Sequence, residues 1–315
     1  MKFKKILSDS FTIFKDTIKG FSEDKGLKLS ASLAYYTLFS FAPLLLLVIS
    51  LAGAFFGEDA VRGTVFTELN GLLGNQAAAQ VQEIIKNMEL SGDTTFSLVV
   101  SAVTLVIGAT TVFGELQDSI NMIWSVKAKP KRGWVKLLKD RLLSGSLIIG
   151  LGFLLVVSLV VNGLLDTFNT LFKDWFADVS VVLFYILSVA VNLVVLSVVF
   201  AVIYKVLPDA KIKWRDVRAG AVFTTLLFLL GRYVIGLYIN SSGTASTYGA
   251  AGSLIVILLW VYYSAAIMYF SAEFTKAYAA FKGEKILPAE YAVYVEEKET
   301  EKPAANITKE TKNNP

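Results

Sequence analysis

The sequence predicts an all-α integral membrane protein, a helical bundle with six transmembrane helices and both termini cytoplasmic. Three observations carry that class. Charge is absent from whole blocks of the 315-residue chain instead of being interleaved with apolar residues, and mean hydropathy is positive. Between Ala219 and Ala272 a single charged residue, Arg232, stands in an otherwise uncharged stretch, long enough for two crossings of about 20 residues each. Lys and Arg alternate between loops: the N-terminal segment, residues 127–141 and residues 205–218 hold seven, seven and five, and the three opposite loops hold two, one and none. Basic loops stay inside, which puts both ends of the chain in the cytoplasm and requires an even span count.

The chain has no histidine and no cysteine. A disulfide, a thiol nucleophile, a zinc site of His/Cys type and a histidine general base are therefore excluded. No catalytic residue, metal site or cofactor is expected, and the reading is of a protein that is not an enzyme.

Residues 1–28 form a basic amphipathic segment. Phe3, Ile6, Leu7, Phe11, Phe14, Ile18 and Phe21 repeat at three and four, with most lysines off that stripe. Such a helix lies among lipid headgroups or packs on the ends of the spans. No cleavable leader is expected, because no unbroken apolar core precedes the first long block.

The membrane domain is expected over 29–273. Span one, about Ser30–Phe56, carries Tyr35 and Tyr36 near its inner boundary and Pro43 near its middle, where a kink is expected. Residues 58–93 form the longest external segment, with six acidic residues against Arg62 and Lys86. Phe66, Leu69, Leu72 and Leu73, then Val81, Ile84, Ile85 and Met88, mark two short amphipathic helices there. Span two, from about Thr95 to Phe113, continues as a helix through Glu115, Asp118, Asn121 and Trp124. Spans three and four are about Leu142–Leu165 and Val179–Tyr204. Spans five and six form a hairpin around the turn-prone stretch Asn240 to Gly249. Residues 274–315 are a cytoplasmic tail, expected to be disordered from about 288. The halves hold three spans each without a sequence match between them.

Arg232 is costly inside a bilayer, at about 2.5–3.5 kcal/mol on insertion scales, so it marks a functional site, an internal partner or outward snorkelling. Glu115 and Glu273 fall at similar depth near the inner ends of their helices. Two such carboxylates bind a cation, exchange a proton or mark the water boundary. Asp118 and Asn121, one turn apart, extend a polar stripe. Gly249 and Gly252 give span six a small-residue start suited to close helix packing. The basic loop 127–141 with Trp134 follows from the topology rule and attraction to anionic lipid, so membrane lipids and not nucleic acid are the expected partners.

Four stretches together resemble the YihY/BrkB family of bacterial inner-membrane proteins. They are Ala34 to Ser40 followed by Pro43, Leu116 to Asn121 with Trp124, Tyr204 to Asp209, and Tyr248 to Leu254 with Leu259-Trp260. The similarity covers roughly residues 25–280. One departure is Ser271-Ala272-Glu273, where relatives more often carry Gly-Ala-Glu. The resemblance implies an all-helical, multi-pass protein of the bacterial cytoplasmic membrane. That family carries the labels "ribonuclease BN" and "virulence factor". The leading expectation is a transport-type protein moving a lipid or ionic substrate. The alternative is a non-transporting scaffold for envelope assembly, with homo-oligomeric or envelope partners. A ribonuclease stands third, since the carboxylates at 115, 118 and 273 lack any histidine partner.

Overall fold

The computed structural model describes residues 2–40, 57, 62–63, 65–67, 70, 78–79, 81–83, 95–129, 146, 150, 177–242 and 250–296. Helices dominate it: α1 (Lys2–Glu23), α2 (described over 26–40), α3 (Thr95–Ile123), α4 (Ala177–Val206), α5 (Trp214–Ser242) and α6 (Ala250–Phe281). Three of the described helical stretches, Val182–Val206, Trp214–Ile235 and Leu254–Phe281, are long and apolar enough to cross a membrane. Pro43, Gly249, most of 58–93, the basic loop beyond Lys129, most of span three and the tail from residue 297 lie outside the described residues. The described parts of 58–93 are helical, with Ala78 and Val81 buried.

Local chemistry explains where the helices stop. Pro208 follows α4 by two residues, and its ring cannot continue a helix. Beyond α6, Gly283 takes a positive φ of 74°. Its amide donates to Ala280 O and the Glu284 amide donates to Ala279 O. These two bonds make a Schellman cap that satisfies the last carbonyls of α6. Ser125 leaves α3 in the left-handed region, at φ 55°, and turns the chain into a strand.

The C-termini of α3, α4 and α6 and the N-terminus of α5 gather at one end of the bundle. Short antiparallel strands tie that end together. β1 (Val126–Ala128) pairs with β4 (Ala292–Tyr294), and β2 (Ala210–Lys211) pairs with β3 (Leu287–Pro288). The expectation of disorder from about residue 288 therefore does not hold through Glu296. The segment after α6 finds backbone partners in the two loops that precede it in the chain, and Lys129 N to Tyr291 O and Val295 N to Ser125 O add to the seam.

The core runs through this same end, with Ile120, Ile123, Trp124, Tyr204, Leu207, Val217, Tyr269 and Ala272 all buried. Helix α5 packs on both α4 and α6, and α1 lies along α6. Small residues set the α5/α6 separation. A Cβ at Gly220 would stand 1.9 Å from Thr275 Oγ1, and one at Gly231 would stand 2.1 Å from the Tyr263 hydroxyl. Away from the core, α4 and α5 turn large apolar side chains outward, among them Leu183, Ile186, Val194, Leu226 and Leu230. Such a surface suits lipid and not water.

Candidate functional site: a buried polar layer around Glu273

Polar groups within apolar helices must find partners inside the protein. Most here do so locally: Thr17, Thr224, Thr225 and Thr275 each donate to the carbonyl four residues back. Others join helices. The Tyr204 hydroxyl bonds Met268 O at 2.7 Å and lies 3.0 Å from Thr224 Oγ1, linking α4, α5 and α6. Trp124 Nε1 donates to Ala272 O at 3.1 Å, fixing α3 to α6. Asn121 and Asp209 are both buried and bond reciprocally. The Asn121 amide donates to Asp209 Oδ2 at 2.9 Å, and the Asp209 backbone amide donates to Asn121 Oδ1 at 2.8 Å.

Glu273 stands among these groups with its carboxyl 2% exposed at the residue level. Oε2 lies 3.5 Å from Lys276 Nζ, which also holds Asp24 Oδ2 at 3.0 Å. Oε1 has no hydrogen-bond partner among the described residues. Helix α1 comes so close that a Cβ on Gly20 would stand 2.6 Å from Oε2. Glycine is what lets α1 seat against this carboxyl. One turn earlier on α6, the buried Tyr269 hydroxyl likewise closes no hydrogen bond; Ser119 is beside it and Glu115 is within electrostatic reach. Ser264 Oγ and Ser271 Oγ are buried on the same helix, Ser271 beside the Tyr204 hydroxyl. A buried polar atom without a full set of partners costs about 1–3 kcal/mol, so a line of such groups on one helix is expensive as mere structure.

The sequence-predicted residues separate in this setting. Glu115 and Glu273 each stand eight residues before the ends of their helices, Ile123 and Phe281. Glu115 is half-buried and Glu273 buried, and Glu115 is within electrostatic reach of Tyr269, one turn before Glu273 on α6. Asp118 is exposed whereas Asn121 is buried, so the two do not share a stripe. Asn121 is a structural tie to Asp209. Gly252 falls in the first turn of α6. Arg232 does not point into the bundle: it is exposed, beside exposed Tyr233 and Val234, and forms no ion pair among the described residues. The internal-partner expectation for Arg232 is thus not met there. Gly231, its neighbour, takes the buried position against Tyr263, and one residue on a helix turns the long arginine stem outward.

Sequence reasoning missed Gly20, Asp24, Tyr269 and Lys276. A glycine in the last turn of an otherwise amphipathic helix was the available signal for close approach.

Two of the stretches that carry the family resemblance meet in space here. Asn121 of one bonds Asp209 of the other, and the rings of Trp124 and Tyr204 lie 6.5 Å apart. The family model for virulence factor BrkB matches residues 17–291. The chain belongs to the virulence factor BrkB family. Among curated relatives, a UPF0761 membrane protein of Xanthomonas oryzae pv. oryzae (strain PXO99A) is 28% identical over 273 residues, covering 83% of this chain and 59% of the relative. UPF0761 membrane proteins of Psychrobacter sp. (strain PRwf-1) and Alcanivorax borkumensis (strain SK2) are 25% and 28% identical, over 88% and 84% of this chain. This BrkB-family chain thus spans 50% and 60% of the lengths of those two relatives. No solved structure matches it. It is a membrane protein by family, and the described helices are of a length and composition that fit.

Proposed function

We propose that this chain is a transport-type protein of the bacterial cytoplasmic membrane, moving a lipid or ionic substrate through a six-span bundle with cytoplasmic termini. The observation that carries the reading is the Glu273 carboxyl, buried in an apolar helix of spanning length with one oxygen unpartnered. Ionisable groups in such helices are expensive to keep and mark ion, proton or substrate pathways. Tyr269, Ser271 and Ser264 continue the polar line along the same helix, and Glu115 stands at the matching level on α3. On this reading the protein is not an enzyme, uses no cofactor or metal, and engages membrane lipids and not nucleic acid.

Arg232 takes a different role from an internal counter-charge. It lies 13 residues beyond Ala219, where the uncharged stretch begins, which is ~20 Å at ~1.5 Å per residue, past the midplane of a ~30 Å hydrocarbon core. With exposed Tyr233 and Tyr238 beside it, its long stem carries the guanidinium outward toward the anionic headgroups of the far leaflet. Arg232→Ala is expected to weaken handling of anionic lipid without emptying the pathway.

The test is flux in proteoliposomes, comparing fluorescent lipids with monovalent cations. Protein-dependent movement of one of these classes is expected. Equal rates in protein-containing and empty vesicles for all of them would remove the transport reading and favour the scaffold.

A further inference from the structure

We propose that the cluster of Asp24, Lys276 and Glu273 binds one proton, on Glu273 Oε1, and that this proton keeps α1 docked on α6. The inference shares Glu273 with the transport reading but holds or fails independently of it.

Two carboxylates and one ammonium meet in the cluster, with both carboxylates bonded to the same Lys276 Nζ at 3.0 and 3.5 Å. Fully ionised, it carries one uncompensated negative charge beside a buried group, where desolvation disfavours the charged form. Oε1 is buried and receives no donor among the described residues, and the Asp24 carboxyl stands within hydrogen-bonding reach of Glu273. A proton taken from the aqueous phase onto Oε1 brings the cluster from minus one to neutral. No other described charge compensates it. On α1, Lys19 and Glu23 pair with one another at 3.8 Å and are mostly exposed. Lys25 and Lys28 are exposed, Glu115 on α3 adds only negative charge, and Arg215 and Asp216 on α5 face each other.

The cluster also controls a joint. Gly20 and Asp24 belong to the end of α1 and the turn after it, whereas Glu273 and Lys276 belong to α6. Loss of the proton sets a carboxylate against Gly20 and a like charge against Asp24. The remaining grip is apolar: Phe14 and Phe21 each pack edge-on against Phe270, at 5.9 and 5.5 Å. On the same apolar stripe, Phe11 and Ile18 are already exposed to the surroundings. A released α1 therefore has an apolar face ready for the headgroup layer.

The chain has no cysteine, so Lys15→Cys and Lys282→Cys supply the sole pair of spin-label sites, both exposed. Distances between them are to be measured by pulsed electron resonance on the full chain in nanodiscs across pH. One docked population is expected in acid, with a second, displaced population growing as pH rises. Glu273→Gln, which keeps the neutral form permanently, should lose that pH response and stay docked. A pH-invariant wild type or an unchanged response in Glu273→Gln overturns the proposal. So does a displaced fraction that follows sodium replacement by choline at fixed pH, which would assign Oε1 to a metal cation. Should Glu273→Gln not fold, Asp24→Asn serves: it removes the second carboxylate and should strongly reduce the response, and an undiminished one is contradictory.

Discussion

Gly220 shows how much a single side chain decides in this bundle. Any Cβ there collides with Thr275 Oγ1, which is itself held by the Ser271 carbonyl at 2.7 Å. Gly220→Ala should cost about 1–3 kcal/mol through overpacking. Adding Thr275→Ala, which deletes the colliding atom, should recover most of it, as thermal unfolding of the two single variants and the double variant in detergent would reveal. Asn121 makes a second case. Asn121→Ala removes one donor to the buried Asp209 carboxylate and the acceptor of its backbone amide, and should destabilise by about 1–3 kcal/mol. The same unfolding measurement checks it, and a neutral substitution would mean that another group already satisfies Asp209. At this scale the sequence was only partly readable. Glu273 and Asn121 were found because polar residues in apolar helices are conspicuous. For Arg232 the sequence leaves an internal partner and outward snorkelling both open, because periodicity does not say which face of an apolar helix is the lipid face when both sides are apolar.

Among the elements, helices were legible and the small strands were not. The continuation of α3 past the apolar block to Ile123 follows from Leu116, Ile120 and Ile123, which keep helical spacing and are all buried. Strands of two and three residues have no alternation to detect, so the seam between β1, β2 and the segment after α6 left no sequence signal. That seam predicts a sharp boundary for truncation. Ending the chain after Ile286 should open residues 124–129 and 207–213 to protease, whereas ending it after Glu296 should leave them protected. The seam is also pH-sensitive in a defined direction. Lys213 Nζ lies 2.6 Å from Glu284, and Lys211 Nζ lies 3.0 Å from Glu290. These lysines hold both carboxyls below the usual carboxylate range. A carboxyl lowered on folding contributes stability above its unfolded pKa of about 4 and loses it as pH falls through the lower folded value. Wild type should therefore unfold at a higher temperature than Glu284→Gln near neutrality, and the gap should close in acid. High salt should narrow it too, since these pairs are exposed.

For the whole molecule, class was the most legible property, because it rests on what is missing: charge from whole blocks, and His and Cys from the entire chain. The site was harder. Its parts come from α1, α3, α4, α5 and α6, and only folding brings Gly20 to Glu273 or Asn121 to Asp209. The topology behind the proposed function has its own check. A reporter active only in the cytoplasm, fused after Pro315, should be active, and a silent fusion would contradict the even span count. The central claim, that the Glu273 carboxyl is retained for work and not for packing, is tested most directly by flux through vesicles carrying equal amounts of folded wild-type or Glu273→Gln protein. The account predicts at least a tenfold lower rate in the variant, equivalent to about 1.4 kcal/mol or more in the barrier. Equal rates, with substrate moving in both, would contradict it.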